Sequence, residues 1–377
     1  MSGVSNNPSS AVTVPSLKGR SLESGMALPV TVGKTTFNLR WCPSGSFMMG
    51  SPEGEEGHHA NETQRQVTIT KGFWMGETEV TQGLWSEVMG TNPSYNKAGD
   101  DYPVEMVSWN DCQKFISKLN DLAKGTGVRF ALPTEAQWEY ACRAGSTGRR
   151  GKLANGQEGA LDDMGWHSAN SGNHTWPVGG KTPNAWNLYD MHGNVWEWCA
   201  NVYQSSPDGS EDNAAATRAA GDDRVLRGGS SWDIPQACRS ANRDGVTLPQ
   251  DESKQWDAET ERRYREWVRV EIKRRTALIA DLNQCLEFVG CKTDTPEEQA
   301  KVAQYRQAIN TPRFRWLDRE GMQPVANDIY NMYDAKNKER PWLRKGWDQM
   351  QTNTALLATD YRYWDSGLRL LAFHDAN

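Results

Sequence analysis

From Ala144 to Ala220 the chain is dominated by glycine, asparagine, aspartate, serine and tryptophan, and this stretch limits what it can fold into more than any other feature. These residues favour turns, and their short polar side chains compete for backbone hydrogen bonds, so long helices or regular strand ladders are not expected there. Buried backbone N–H and C=O groups must still find partners. The segment is therefore expected to be held by side-chain hydrogen bonds or ions. Seventeen tryptophans and 34 glycines in 377 residues, with a mean hydropathy of -0.77, point the same way, to a turn-rich fold pinned by aromatic rings.

The glycines are unevenly spread. Only Gly290, Gly321 and Gly346 fall within residues 251–356, a stretch that carries 19 of the 42 lysines and arginines. Residues 29–250 and 357–377 are read as one domain, interrupted by a helical insertion at 251–356 and preceded by a flexible tail at 1–28. In the insertion, Tyr264, Val268, Ile272, Ile279, Leu282, Leu286 and Val289 follow three- and four-residue steps, which predicts a long amphipathic helix ending near Gly290. Thr295 ahead of Pro296 opens a second helix running towards Asn310. Further helical pieces are expected at 324–336 and 345–358. In the glycine-rich part, Thr81, Ser108, and Thr134 with Gln137 mark three helix starts.

The formal charge of -6 comes with no basic run, which argues against nucleic acid as a partner. No apolar stretch reaches the length of a membrane helix, about 18 residues. The first residues lack a basic segment followed by an apolar core, so a cytoplasmic location is the default expectation, with display on a surface or phage particle left open. The seven cysteines form no C-x-x-C pair and no zinc spacing, and are expected to be reduced thiols; Cys112 and Cys142 fall within helical patterns as core residues.

Eight blocks occur in a fixed order: F-M-M-G-S at 47–51, E-T-E-V-T-Q at 77–82, P-V-E-M-V-S-W at 103–109, L-P-T-E-A-Q-W-E-Y-A at 132–141, N-L-Y-D-M-H-G-N-V-W-E-W at 187–198, R-V-L-R-G-G-S at 224–230, C-R-S-A-N-R at 238–243 and G-L-R-L-L at 367–371. This series resembles the sulfatase-modifying-factor, or formylglycine-generating-enzyme, family. The resemblance implies an α+β, C-type-lectin-like fold with little regular secondary structure, to which the α-helical insertion is added. It also implies a calcium ion wrapped by the turn from Asp190 to Glu197. Asp190 and Glu197 would supply carboxylate oxygens and Gly193 and Val195 carbonyls, a hard-oxygen set that suits calcium. The alternative is a capped turn with Trp196 and Trp198 buried beside it. The family's second calcium loop would match Asn170 and Ser171, after which this chain is shortened.

Oxidases of this family place two cysteines, five residues apart, after R-G-G-S, and hold copper with them. Here those positions are Asp233 and Cys238. A carboxylate and one thiolate do not make the soft linear site that Cu(I) prefers, so copper is not expected, and Cys238 stands as a residual catalytic candidate beside its plain packing role. The six histidines show no three-histidine iron array, and His58-His59 reads as a solvated turn. Ser230 lacks the G-x-S-x-G elbow of a hydrolase. Arg227, Arg239, Arg243 and Arg369 read as buried guanidiniums that fix glycine-rich backbone.

Non-oxidase relatives of this pattern include the variable proteins of diversity-generating retroelements, in which residues between R-G-G-S and the final G-L-R form a ligand-binding face. The matching residues are Trp232, Asp233, Ile234, Gln236, Ala237, Asp244, Val246, Thr247, Tyr361, Tyr363, Trp364 and Asp365. Rigid aromatics among small polar groups suit a protein or cell-surface ligand. The last aromatics also read as a seal on the final strand. Three functions follow: a non-catalytic ligand- or protein-binding module, a copper-dependent formylglycine-generating oxidase acting on a protein cysteine, or a regulatory subunit that docks a partner through the insertion.

Overall fold

Val12–Thr13 (β1) pairs antiparallel with Ala27–Val32 (β2), in which Leu28, Val30 and Val32 are buried and alternate with more exposed residues, as a strand with one core-facing side requires. This computed structural model describes residues 11–172, 174–204, 223–247, 278–293, 295–309, 319–336 and 366–374. The remaining strands are Thr35–Cys42 (β3), Gly45–Met49 (β4), Arg65–Ile69 (β5), Phe73–Gly76 (β6), Val128–Ala131 (β7), Trp196–Val202 (β8), Asp223–Arg227 (β9), Arg243–Thr247 (β10), Ser366–Gly367 (β11) and Leu371–His374 (β12). They form a six-stranded sheet ordered β1-β2-β3-β6-β12-β7, a four-stranded sheet ordered β10-β9-β8-β11, and the hairpin β4-β5. The final segment serves both larger sheets. β11 runs parallel to β8, and three residues on, β12 slots antiparallel between β6 and β7.

Three helices begin where capping residues stand. Thr81 accepts from Leu84 N ahead of Gln82–Met89 (α1); Ser108 and Asp111 form a reciprocal box at Trp109–Leu122 (α2), as do Thr134 and Gln137 at Glu135–Arg143 (α3). A one-turn helix, Leu161–Met164 (α4), follows. Trp85 of α1 stacks on Phe115 of α2 at 4.9 Å, and Trp74, Trp138 and Trp198 are almost fully buried, so aromatic rings fill much of the core.

The chain divides into two compact units, Met1–Leu248 with Tyr363–Asn377, and Pro249–Arg362. In the second, residues 278–290 (α5), Pro296–Ile309 (α6) and Arg319–Lys336 (α7) bury Leu282, Leu286 and Val289 with Val302, Ile309, Ile329 and Tyr330. α7 starts at Arg319, five residues before Pro324, where the helical piece was expected to begin; within the helix, Pro324 forgoes a single backbone bond. Tyr264, Val268 and Ile272, and the helix expected at 345–358, lie outside the described residues. Among the described residues no helix is long and apolar enough to cross a membrane.

The expected tail at 1–28 needs correction from residue 11 onward. Val12 is 7% exposed and belongs to the main core with Val14 and Leu17 packed against it, and β2 begins at Ala27. A two-residue strand carries no periodic signal, so neither hydropathy nor spacing reveals it.

In the irregular segment, side chains take the place of ladders. Trp166 stacks on Trp176 at 4.6 Å, and the Lys181 ammonium lies 3.9 Å from the centre of the Trp166 ring. Buried Asn184 uses its amide fully: Oδ1 accepts from the backbone N–H of Trp186 and Leu188, and Nδ2 donates to the carbonyls of Ala141 and Cys142. His192, fully buried, links two distant loops. Cys238 offers it only a carbonyl, 2.9 Å from Nδ1, and Gly151 only an N–H, 3.0 Å from Nε2, so the neutral ring carries its proton on Nδ1. Burial pushes its pKa down to about 4.

Two outcomes follow. Asn184→Ala should cost about 3 kcal/mol in urea unfolding, because it strands several buried backbone groups, against about 1 kcal/mol for Ser108→Ala, a helix cap; the reverse order would contradict this account of the loops. An unfolded histidine titrates near 6.5, so between pH 6.5 and 4 the unfolded chain takes up a proton that folded His192 refuses. Its contribution is whole above pH 6.5 and is lost as the pH falls to 4, by up to about 3 kcal/mol. The deficit of His192→Asn, which keeps a donor for Cys238, should shrink over that window; a constant deficit would assign the acid limb to another group.

Candidate functional site

The R-G-G-S block ends β9 in a turn that only glycine can make. Gly228 and Gly229 have φ of 100° and 73°, and a Cβ at Gly229 would press on the Cys238 sulfur and the Ala237 carbonyl. The turn is closed by Asp233. Its Oδ2 accepts from Ser230 N at 3.0 Å, Ser230 Oγ at 2.6 Å and Trp196 Nε1 at 2.8 Å, and its carbonyl accepts from Ser168 N. Asp233 is 3% exposed. It belongs to the framework beneath the expected binding face and not to the face, because its carboxylate meets needs of the buried turn that no backbone group serves.

A short 3-10 turn, Pro235–Cys238, follows. Cys238 is fully buried, and burial with the nearby Asp233 charge pushes its thiol well above the usual range, which keeps it protonated. The two positions at which oxidases carry copper thiolates thus hold a hydrogen-bonded carboxylate and an inert thiol.

Of the other expected ligand residues, Trp232, Ile234 and Gln236 are half-buried around this turn, and Ala237 is buried beneath it. Asp244, Val246 and Thr247 lie along β10, paired with Leu226, Arg224 and Asp223 of β9, and Asp244 accepts from Gly245 N. Tyr361, Tyr363, Trp364 and Asp365 lie outside the described residues.

A cleft of about 310 Å³ opens against the Pro235–Cys238 turn, with Gln236 on one side and Arg149, Arg150, Asp162 and His167 among its other walls. Two of its arginines are paired, Arg149 with Glu56 at 2.8 Å and Arg150 with Glu158 at 3.1 Å, while His167, whose pKa burial lowers, hydrogen-bonds Asp162 at 2.8 Å. Arg239, at the base, is held by Glu55 and Glu62. A cleft rimmed by ion pairs offers donors and acceptors of both signs, which suits a polar ligand of mixed character better than a polyanion. Sequence reading missed Arg149, Arg150, Asp162 and His167; the adjacent arginines inside a glycine-rich loop were the one available signal.

The turn from Asp190 is tight, with φ of 56° at Asp190, 119° at Gly193 and 60° at Asn194. A side chain at Gly193 would collide with the Trp166 carbonyl. Asp190 is buried, its Oδ2 accepting from Gly179 N at 2.6 Å, while Oδ1 has no hydrogen-bond partner among the described residues. Glu197 differs. Its two oxygens accept from Arg369 Nε and Nη2 and from Trp138 Nε1 at 2.7–3.0 Å, so its carboxylate is already committed. Val195 and Gly193 are buried in the turn between them. No three His, Cys, Asp or Glu side chains among the described residues are placed to hold one metal ion. A cation here would combine Asp190 Oδ1 with backbone carbonyls, a donor set that fits calcium in kind. At the second expected loop, Asn170 Oδ1 accepts from His167 N and Ser171 Oγ donates to the Ser231 carbonyl, so both side chains face backbone.

Residues 29–255 match the family model of the sulfatase-modifying factor enzyme 1-like domain. A formylglycine-generating enzyme of Streptomyces coelicolor is 38% identical over 147 residues, which cover 34% of this chain and 42% of that protein. The inactive C-alpha-formylglycine-generating enzyme 2 of Bos taurus is 31% identical over 194 residues, 48% of this chain and 52% of that protein. The chain therefore spans about half or less of these two relatives. Among solved structures, Treponema denticola variable protein 1 superposes with a TM-score of 0.52 at 26% identity, over 60% of this chain and 95% of that one. With the family model matching more than half of its length and the eight blocks in order, the chain belongs to the sulfatase-modifying factor enzyme 1-like domain family.

Proposed function

We propose that this protein is a non-catalytic ligand- or protein-binding module on the formylglycine-generating-enzyme scaffold, with its binding surface around Trp232, Ile234, Gln236 and the adjoining cleft. One observation carries this reading: Asp233, in the first copper-cysteine position, is a buried staple for Ser230 and Trp196. Replacing a soft ligand with a hydrogen-bonded carboxylate removes the Cu(I) site and keeps the turn rigid. The similarity to an inactive formylglycine-generating enzyme and to a variable protein supports it. A calcium ion at the Asp190 turn would brace the scaffold. A retroelement-diversified member would have, beside its gene, a near-copy of its 3' end and a reverse transcriptase.

The oxidase is the second reading, favoured by the 38% identity to the Streptomyces coelicolor enzyme. Cu(I) titration against a competing chelator, with Cys238→Ser as control, separates the two. The wild-type chain is expected to retain no stoichiometric Cu(I) and to leave a cysteine peptide unoxidised. One tight equivalent, lost in Cys238→Ser, would restore the oxidase. For the binding reading, a partner held by the wild-type chain should be weakened at least about tenfold by Gln236→Trp, which fills the cleft, and little changed by Cys238→Ser. Equal retention by all three proteins would move the binding surface elsewhere.

A further inference from the structure

Three arginines line the cleft at the Pro235–Cys238 turn, and they differ in the donors they have left. Arg239 is fully engaged: Nε donates to the Gln236 carbonyl, Nη1 to Glu55 and Glu62, and Nη2 to Glu62 and the Gly57 carbonyl, which uses all five guanidinium hydrogens. Arg150 has filled the edge formed by Nε and Nη2, with Nε on the Gly159 carbonyl at 2.6 Å and Nη2 on Glu158 at 3.1 Å. Arg149 is different. Its Nη1 donates to Glu56 at 2.8 Å, but its Nε is buried without a hydrogen-bond partner, and Nη2 beside it has none either among the described residues. A buried donor left unpaired is unfavourable, because burial removes its water and nothing replaces it.

The loop that carries Arg149 is held in place. Ser240 N donates to the Arg149 carbonyl at 2.8 Å, the Gly148 carbonyl before it accepts from buried Arg143, and the Gly151 N–H after it donates to buried His192. The unfilled edge is therefore fixed relative to the 238–243 block. Two parallel N–H groups on one edge of a guanidinium match the two oxygens of a carboxylate.

The surroundings choose among anions. Glu56 and Asp162 also line the cleft, Glu158 lies on Arg150, and Glu55 and Glu62 lie on Arg239, so a dianion such as phosphate would meet five carboxylates against three guanidiniums. A monoanion is the better fit. One that also carries an ammonium fits best, since the side chains of Asp162 and Glu56 are 79% and 72% exposed and each engages the protein through one oxygen only. At about 310 Å³ the cleft is at the small end of ligand sites, which run from about 300 to 1,000 Å³.

We infer that the cleft binds a small zwitterion of amino-acid size, its carboxylate held by the Nε and Nη2 edge of Arg149 and its ammonium by the acidic side chains opposite, Asp162 first among them. The inference rests on the reading of this surface as a binding site, and names the class of ligand it takes.

The test is saturation-transfer NMR of the full chain with the standard amino acids, each offered also as its primary amide and as its N-acetyl derivative. At least one amino acid should bind, with the amide, which lacks the carboxylate, and the N-acetyl form, which lacks the ammonium, each at least about tenfold weaker. Arg149→Lys keeps the positive charge but loses the fork, and should weaken the same amino acid at least about tenfold; Gln236→Trp, which fills the cleft, should abolish binding. Binding that Gln236→Trp abolishes but that is equal for acid and amide, or unchanged in Arg149→Lys, would overturn the role of Arg149 and leave the cleft a binding site. If no amino acid binds, the zwitterion is overturned, and a larger partner still released by Gln236→Trp would keep the binding surface where it is. The comparison of acid with amide uses the wild-type chain, so it decides even where Arg149→Lys fails to fold.

Discussion

The ion pair between Arg369 and Glu197 is the point on which the rest of the domain turns. Both side chains are fully buried, and the pair is completed by Trp138 and three backbone carbonyls, so each charge has left water only because every lone pair and proton has a partner. Removing one member of such a pair typically costs about 3–5 kcal/mol, since the other is then buried alone. Geometry explains its leverage. Glu197 sits on β8, Trp138 on α3, the carbonyls on β6 and the Asp190 turn, and Arg369 in the link between β11 and β12. One guanidinium thereby sets the spacing of two sheets and a helix.

The same device recurs. Arg227 pairs with Glu139 and Glu135, Arg143 with Glu139, Arg243 with Glu135 and Arg239 with Glu62, all at nearly buried positions. In a fold with short strands and long turns, a planar fork of five donors can serve carbonyls at irregular angles that a ladder cannot reach. Carboxylates from α3 and the 55–62 loop then balance the charge. The result is a rigid base beneath the Pro235–Cys238 turn, beside which Trp232, Ile234 and Gln236 are half-buried.

Helix starts were legible in the sequence because a cap is a local event: Thr81, Ser108 and Thr134 announce α1, α2 and α3 within four residues. The eight blocks announced the family because they preserve the turns and pairings of the fold in order. The partners of buried charges were not legible. Arg227, Arg239, Arg243 and Arg369 could be read as buried guanidiniums, but their carboxylates lie up to 184 residues away, and no periodicity links them. The family resemblance put Asp233 on a ligand-binding face; only its three donors reveal its place in the framework.

The seat of β12 between β6 and β7 also governs how the chain is made. Its neighbours on both sides leave the ribosome early, but the strand that joins them emerges only after the whole of the second unit. Until then the nascent sheet has a gap in its middle with two open edges, the condition in which strands pair with the wrong chain. Because the entropy of closing a loop grows only with the logarithm of its length, the long interruption delays that closure more than it weakens the finished domain. A second unit that collapses quickly on its own helices would shorten the distance the last strand has to search.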